Sequence, residues 1–355
     1  MVDAVSAAGP GAPELLRDMN RSRSLAILGA MCAVAETDGP ASAADRVALA
    51  SADRYLFGQS LPTVFDTLAP VEPEALAAAL GDRDLREEAL RFLAVMAFVP
   101  GRLDTARIDH VLRYAAALGV GERYLDEIRD AAHERLQSAL ADMIRCNMES
   151  VTGRAWSGDV NAWLLPYAGT GADPELAQRF EALRDLPEAT FGHAFWRHFK
   201  SNRYAFPGDP RGVNAAFIVP HDSTHVLTRY HTDPRGEILV STFTAAMHRK
   251  YPMAGHVLPV IFSWHLGTQM NDVAGSAAGA LDPSEFWHAW AAGRAARVDT
   301  FAPDWDFWAY ADAPLATLRR RWAIPEQGLE EPPDPALPDA AAAEHGGAAP
   351  ASGPA

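Results

Sequence analysis

The sequence predicts an all-α protein, built as two helical domains followed by a disordered acidic Pro/Ala-rich tail. Three observations carry that expectation. Apolar residues recur at helical spacing, as at Leu85, Ala89, Leu93, Met96 and Ala97, which fills one face of a helix. The first 150 residues hold no strand-like alternation. Asp38-Gly39, Pro100-Gly101 and Asp233-Pro234 punctuate the periodic stretches, as residues that stop one helix and start another do.

At 355 residues the chain exceeds the usual domain of about 100–200 residues, so two domains are expected. With 48% hydrophobic and 22% charged residues it belongs to the ordinary globular class. A net charge of −15 argues against nucleic acid, whose binders carry a basic stripe. Cys32 and Cys146 are too few for a disulfide framework or a thiolate zinc site and are expected as free, buried thiols. The first residues lack a basic stretch followed by an apolar one, so no secretory signal is expected and the location is read as cytoplasmic. The uncharged run 251–271 approaches bilayer-spanning length, but it carries His256, His265, Gln269 and Asn271. It reads as buried protein.

The first domain is placed at 24–148. Within it AMCAVAETDGPASAADRVAL (30–49) echoes AVMAFVPGRLDTARIDHV (94–111): a small-residue apolar helix ends and a new helix starts a few residues later, which suggests a duplicated helical hairpin. On these segments the region resembles the tellurite-resistance TerB-like helical domain. That resemblance puts Asp38 and Asp104 in loops considered for metal binding, while an Asp-Gly pair is also a common way to leave a helix.

Glycines and a proline in 151–170 mark the boundary near 150. The second domain, 151–325, holds nine of the twelve histidines between His193 and His288. In FGHAFWRHFKSNRYAFPGDP (191–210), His193, Arg197, His198, Lys200 and Arg203 could meet an anionic ring or a prenyl phosphate while aromatics line an apolar channel, and His193, Phe195, Arg197, His198 and Phe199 are the substrate-binding candidates. The alternative is a run of core aromatics with solvated cations. His248, His256 and His265 are either satisfied core histidines or, for one of them, an orienting partner of a ligand.

The chemistry concentrates in PHDSTHVLTRYHTDPRGEILVSTFTAAMHR (220–249). His221 and His225 are four apart, so on a helix they share a face and can hold one ion. Asp222 adjoins them, and Glu237 follows His225 after eleven residues. On an unbroken helix Glu237 would lie about 18 Å further along, at about 1.5 Å per residue. The chain must therefore turn, and Asp233-Pro234 and Gly236 supply the stop. A second helix from Glu237, with Leu239, Phe243, Ala246 and Met247 inward, would return the carboxylate to the histidines. The metal candidates are His221, Asp222, His225 and Glu237, with Asp222 and Glu237 also candidates for catalysis. Imidazole with carboxylate suits a divalent ion, Zn first among Zn, Fe, Mn, Co and Mg. The bland alternative has Asp222 or Ser223 capping a helix that starts after Pro220.

His221, Asp222, His225 and Glu237 reproduce the H-D-x-x-H-x(11)-E signature of the coenzyme Q (ubiquinone) biosynthesis family of the fourth Coq protein. The Gly236-Glu237 pair, the Pro252-Met253 turn and the closing LRRRWAIP (318–325) are similar as well, so the resemblance spans 151–325. It implies a helical homodimer that binds a divalent metal beside a channel for an isoprenoid lipid or prenylated aromatic substrate, peripheral to the inner face of the membrane. It further implies loss of the C1 carboxylate from a quinone precursor and its replacement by hydroxyl. Two alternatives are carried: a non-catalytic isoprenoid-binding scaffold, and an HD-type phosphohydrolase using His193 or His198, the His221-Asp222 pair and Asp272. The segment 328–355, acidic and without an aromatic residue, is expected to be disordered because it buries too little apolar surface to offset its ordering entropy.

Overall fold

The computed structural model describes residues 16, 19–58, 68–270 and 275–325; the tail at 328–355 and Asp272 lie outside them. Helices dominate, and no strand occurs among the described residues. In order they are α1 (Arg21–Ala35), α2 (Ala43–Tyr55), α3 (Pro73–Ala79), α4 (Arg83–Phe98), α5 (Thr105–Leu118), α6 (Arg123–Ala132), α7 (Leu136–Thr152), α8 (Val160–Leu164), α9 (Pro174–Glu181), α10 (Phe191–Asn202), α11 (Ala215–Thr228), α12 (Pro234–Met247), α13 (Leu258–Trp264), α14 (Pro283–Ala295) and α15 (Leu315–Arg321). None is long and apolar enough to cross a membrane.

The echoing segments form two helical hairpins, α1–α2 and α4–α5. Ser42 and Asp45 make a reciprocal capping box at the start of α2, and Asp104 caps α5 by accepting from Arg107 N at 3.1 Å; such caps satisfy otherwise orphaned amides. Arg107 crosses between the hairpins, donating to Asp45 at 2.9 and 3.2 Å, to Asp38 at 3.0 Å and to the Ala35 carbonyl at 2.7 Å. Arg102 pairs with both Asp38 and Asp104, at 2.6 and 3.0 Å. Arginines therefore occupy the two aspartates that the TerB-like resemblance placed in metal-considered loops.

α7 ends at Gly153, which takes the left-handed conformation at φ 73°, close to the boundary expected near 150. The apolar core continues past that point: one buried cluster unites Ile27, Met31, Phe92 and Met143 with Ile238, Val257, Phe262 and Trp287. Polar bonds accompany it, from Trp290 Nε1 to Glu88 at 3.0 Å and from His265 Nε2 to the Phe98 carbonyl at 3.0 Å. Within the second half, α12 lies so close to α14 that a Cβ on Gly293 would stand 2.3 Å from the Phe243 carbonyl oxygen. A second cluster, rich in phenylalanine, gathers α10, α11 and the outer part of α12. Cys32 and Cys146 are free and buried.

The bland alternative for the histidines is excluded, and one local expectation is corrected. The helix bearing the histidines does not begin after Pro220. It begins at Ala215, capped by Asn214, whose side chain accepts from Ala216 N, so neither Asp222 nor Ser223 is a cap and Pro220 lies inside α11. Pro252-Met253, expected as a turn, instead opens a π-helical segment (Pro252–Val257) running into α13, a wide helical geometry that often accompanies functional sites.

Candidate functional site

α11 and α12 form a hairpin that closes on itself. Arg229 adopts the left-handed conformation at φ 65° and ends α11, and Asp233 caps α12 by accepting from Gly236 N at 2.7 Å. The return is tight: a Cβ on Gly236 would lie 1.8 Å from the His231 carbonyl oxygen, so only glycine fits there. Glu237 thus enters the first turn of α12 facing the histidines of α11.

The three side chains converge. His221 Nε2 lies 3.4 Å from Glu237 Oε2, His225 Nε2 lies 3.5 Å from Glu237 Oε1, and the two Nε2 atoms are 3.3 Å apart. One ligand atom from each falls within 4.8 Å of the others. His225 is buried, and its Nδ1 donates to the Tyr230 carbonyl at 2.9 Å, which turns Nε2 toward the triad. This donor set, two imidazoles and a carboxylate with one imidazole held by backbone, fits a divalent ion with room for further ligands.

Asp222 does not join the triad. It is buried beside His198, with its Oδ1 3.6 Å from His198 Nε2, and its Oδ2 and His198 Nε2 have no hydrogen-bond partner. His198 also stacks on His225, ring centroids 5.6 Å apart. The next residue along a helix points about 100° away, so Asp222 cannot face the space between His221 and His225.

A cavity of about 560 Å³ opens on Glu237, His221 and Asp222. Of the five side chains His193, Phe195, Arg197, His198 and Phe199, only Phe199 lines it, joined by Arg203 and Tyr204 from the same run. Phe195 is buried against Phe180 and Phe307, His193 bonds the Leu186 carbonyl at 3.1 Å, and Arg197 is exposed. α10 buries one face in the phenylalanine cluster, which leaves its neighbouring positions directed elsewhere.

Several cavity residues were not singled out from the sequence. Ile144, Asn147 and Met148 come from α7, and Asn147 donates to the Gly255 carbonyl of the π-helical segment at 2.6 Å. Tyr204 lines the cavity too; burial raises its pKa, Thr232 opposes this through a hydrogen bond, and the charges of Asp222 and Glu237 raise it further. His256 faces the cavity and bonds Ser150 at 2.8 Å, His248 bonds Asp299 at 2.8 Å, and His265 is satisfied by Phe98 and Leu281. The π-helical register that points His256 inward left no signal in the spacing.

The triad stores a proton. Burial disfavours charge on His225, but Glu237 first and then Asp222 outweigh it and lift the imidazole to about 9. Burial likewise opposes charge on Glu237, and His225 with His221 overcomes it, holding the carboxyl far below its usual range. The stability linked to His225 is fully present below its ordinary 6.5 and is lost as pH rises through about 9; that linked to Glu237 is present above its ordinary 4.5 and is lost on acidification. An ion would displace the stored proton. Zinc uptake near pH 7 should therefore release about one proton per ion, falling to none above about pH 10. An indicator-dye titration reads this, and proton-neutral uptake near pH 7 would contradict the coupling.

No protein-family model matches the chain, and no curated protein matches it.

Proposed function

We propose that this protein is a metal-dependent enzyme acting on the oxygenated ring of a polyprenylated hydroxybenzoate-type quinone precursor. The observation that carries the reading is the return of Glu237 to His221 and His225 at the wall of the cavity. His221, His225 and Glu237 would hold the ion, Zn first among Zn, Fe, Mn, Co and Mg. When bound, the ion supplies a Lewis acid for substrate oxygen.

The chain's own groups supply the rest. The Tyr230 carbonyl keeps the His225 tautomer, Asp222 with His198 holds or passes a proton at the cavity wall, and the Tyr204 hydroxyl retains its proton for donation. In decarboxylation the ring–carboxylate bond breaks, its electron pair stays on the ring carbon, and a proton from this set takes it up. Replacement of carboxylate by hydroxyl also needs dioxygen and an external reductant. Phe199, Ile144 and Met148 offer apolar surface for the first isoprene units. In keeping with the resemblance, it would act as a homodimer and reach a lipid substrate from the inner face of the membrane.

The His198–Asp222 contact favours a second reading, an HD-type phosphohydrolase. Glu237→Gln keeps shape but removes charge, and it should cut turnover of a prenylated hydroxybenzoate by at least about a hundred-fold while lipid retention holds. A phosphohydrolase instead loses phosphodiester hydrolysis in Asp222→Asn and keeps it in Glu237→Gln. A scaffold shows no turnover in the wild type with any divalent ion, which would overturn the enzyme reading.

A further inference from the structure

A polar stripe leads away from the triad into the cavity. Glu237, Ser241 and Thr244 recur at i, i+4 and i+7 on α12, and all three line the cavity together with His256. A channel meant only for an apolar chain has no use for these groups, since polar atoms facing hydrocarbon lose their water without a partner.

Thr244 is the informative member. Other threonines in this hairpin satisfy their hydroxyls on the carbonyl one turn back: Thr224 on Pro220 at 2.9 Å, Thr228 on Thr224 at 2.7 Å and Thr242 on Ile238 at 2.7 Å. Thr244 is 2% exposed and its Oγ1 has no partner. His256 is set up to complement it. Ser150 Oγ donates to the Lys250 carbonyl at 2.9 Å, so His256 Nε2, 2.8 Å from that oxygen, is the donor and Nδ1 is left as an acceptor. Burial, then His248 and His221, hold the His256 pKa down at about 3, so the ring is neutral. A neutral acceptor and an uncharged hydroxyl on residues lining one cavity suit an O–H group and disfavour carboxylate or phosphate.

We infer that the cavity contains a subsite for a neutral hydroxyl of the ligand, formed by Thr244 Oγ1 and His256 Nδ1. It stands about 10 Å along α12 from Glu237, seven residues at about 1.5 Å each. The ligand is then an amphiphile with one oxygen at the triad and a hydroxyl roughly that far away. This rests on the triad holding an ion, and the test separates the two claims.

The probes are octanohydroxamate, which chelates zinc at one end, and its ω-hydroxy derivative, titrated by calorimetry into the zinc-loaded full chain. Both should bind, the ω-hydroxy compound at least about ten-fold more tightly, because a buried site built for a hydroxyl penalises its absence. Thr244→Val should erase that advantage, leave the parent probe's affinity unchanged and not lower Tm, since it removes an orphan hydroxyl. Thr244→Ala gives the same comparison if the valine does not fold. The subsite is overturned if the parent binds and the hydroxyl adds nothing, if the advantage survives in the variants, or if Thr244→Val lowers Tm strongly. Failure of both probes to bind the zinc-loaded chain overturns the triad reading and the subsite with it.

Discussion

Replacing Arg107 with methionine should destabilise the protein by about 3–5 kcal/mol, a loss on the order of 10 °C in Tm. The guanidinium is 3% exposed and bonds Asp45, Asp38 and the Ala35 carbonyl at once. Asp45 is fully buried, so without Arg107 its charge would be left in low dielectric with only the Ser42 cap for company. Asp45→Asn in the same background should recover part of the loss, because a neutral amide tolerates burial that a lone carboxylate does not. Thermal and urea denaturation of the single and double variants check this. A loss below about 1 kcal/mol would show that the bonds merely offset the desolvation of the pair.

If the proposed metal site is right, His225→Ala should lower zinc affinity by more than the 10–100-fold that loss of an orienting partner costs, since a proposed ligand itself disappears. The helix should persist: α11 is capped by Asn214, and alanine favours helix. Metal analysis after dialysis against a weak chelator, with circular dichroism on the same sample, reads both effects. Full zinc occupancy in the variant would remove His225 from the site. Because Tyr230 acts through its backbone carbonyl, no side-chain change at that position should imitate the loss.

Much of the helical architecture was legible because its causes are local. The stripe at Leu85, Ala89, Leu93, Met96 and Ala97 lies buried or nearly so in α4, as its spacing requires. The closeness of His221, His225 and Glu237 follows from two short-range facts, an i, i+4 pair and a Pro–Gly turn. The start of α11 at Ala215, with Pro220 inside it, was not read from the sequence, where the proline suggested a boundary; the Asn214 side chain caps the helix upstream. Which members of the aromatic run reach the cavity was not legible, because composition says nothing about which face of α10 the phenylalanine cluster claims.

By itself the sequence determined that the chain is helical, where its hairpins turn, and that two imidazoles and a carboxylate could meet, since each depends on residues a few positions apart. Tertiary structure alone decided that Asp222 turns to His198, that α7 walls the cavity, that Arg102 and Arg107 neutralise Asp38 and Asp104, and that Thr244, with its unpartnered hydroxyl, lines the same cavity as His256. Those outcomes are contacts between segments distant along the chain, where burial and the rotation of each helix are set by what packs against it, and no local spacing encodes the neighbour.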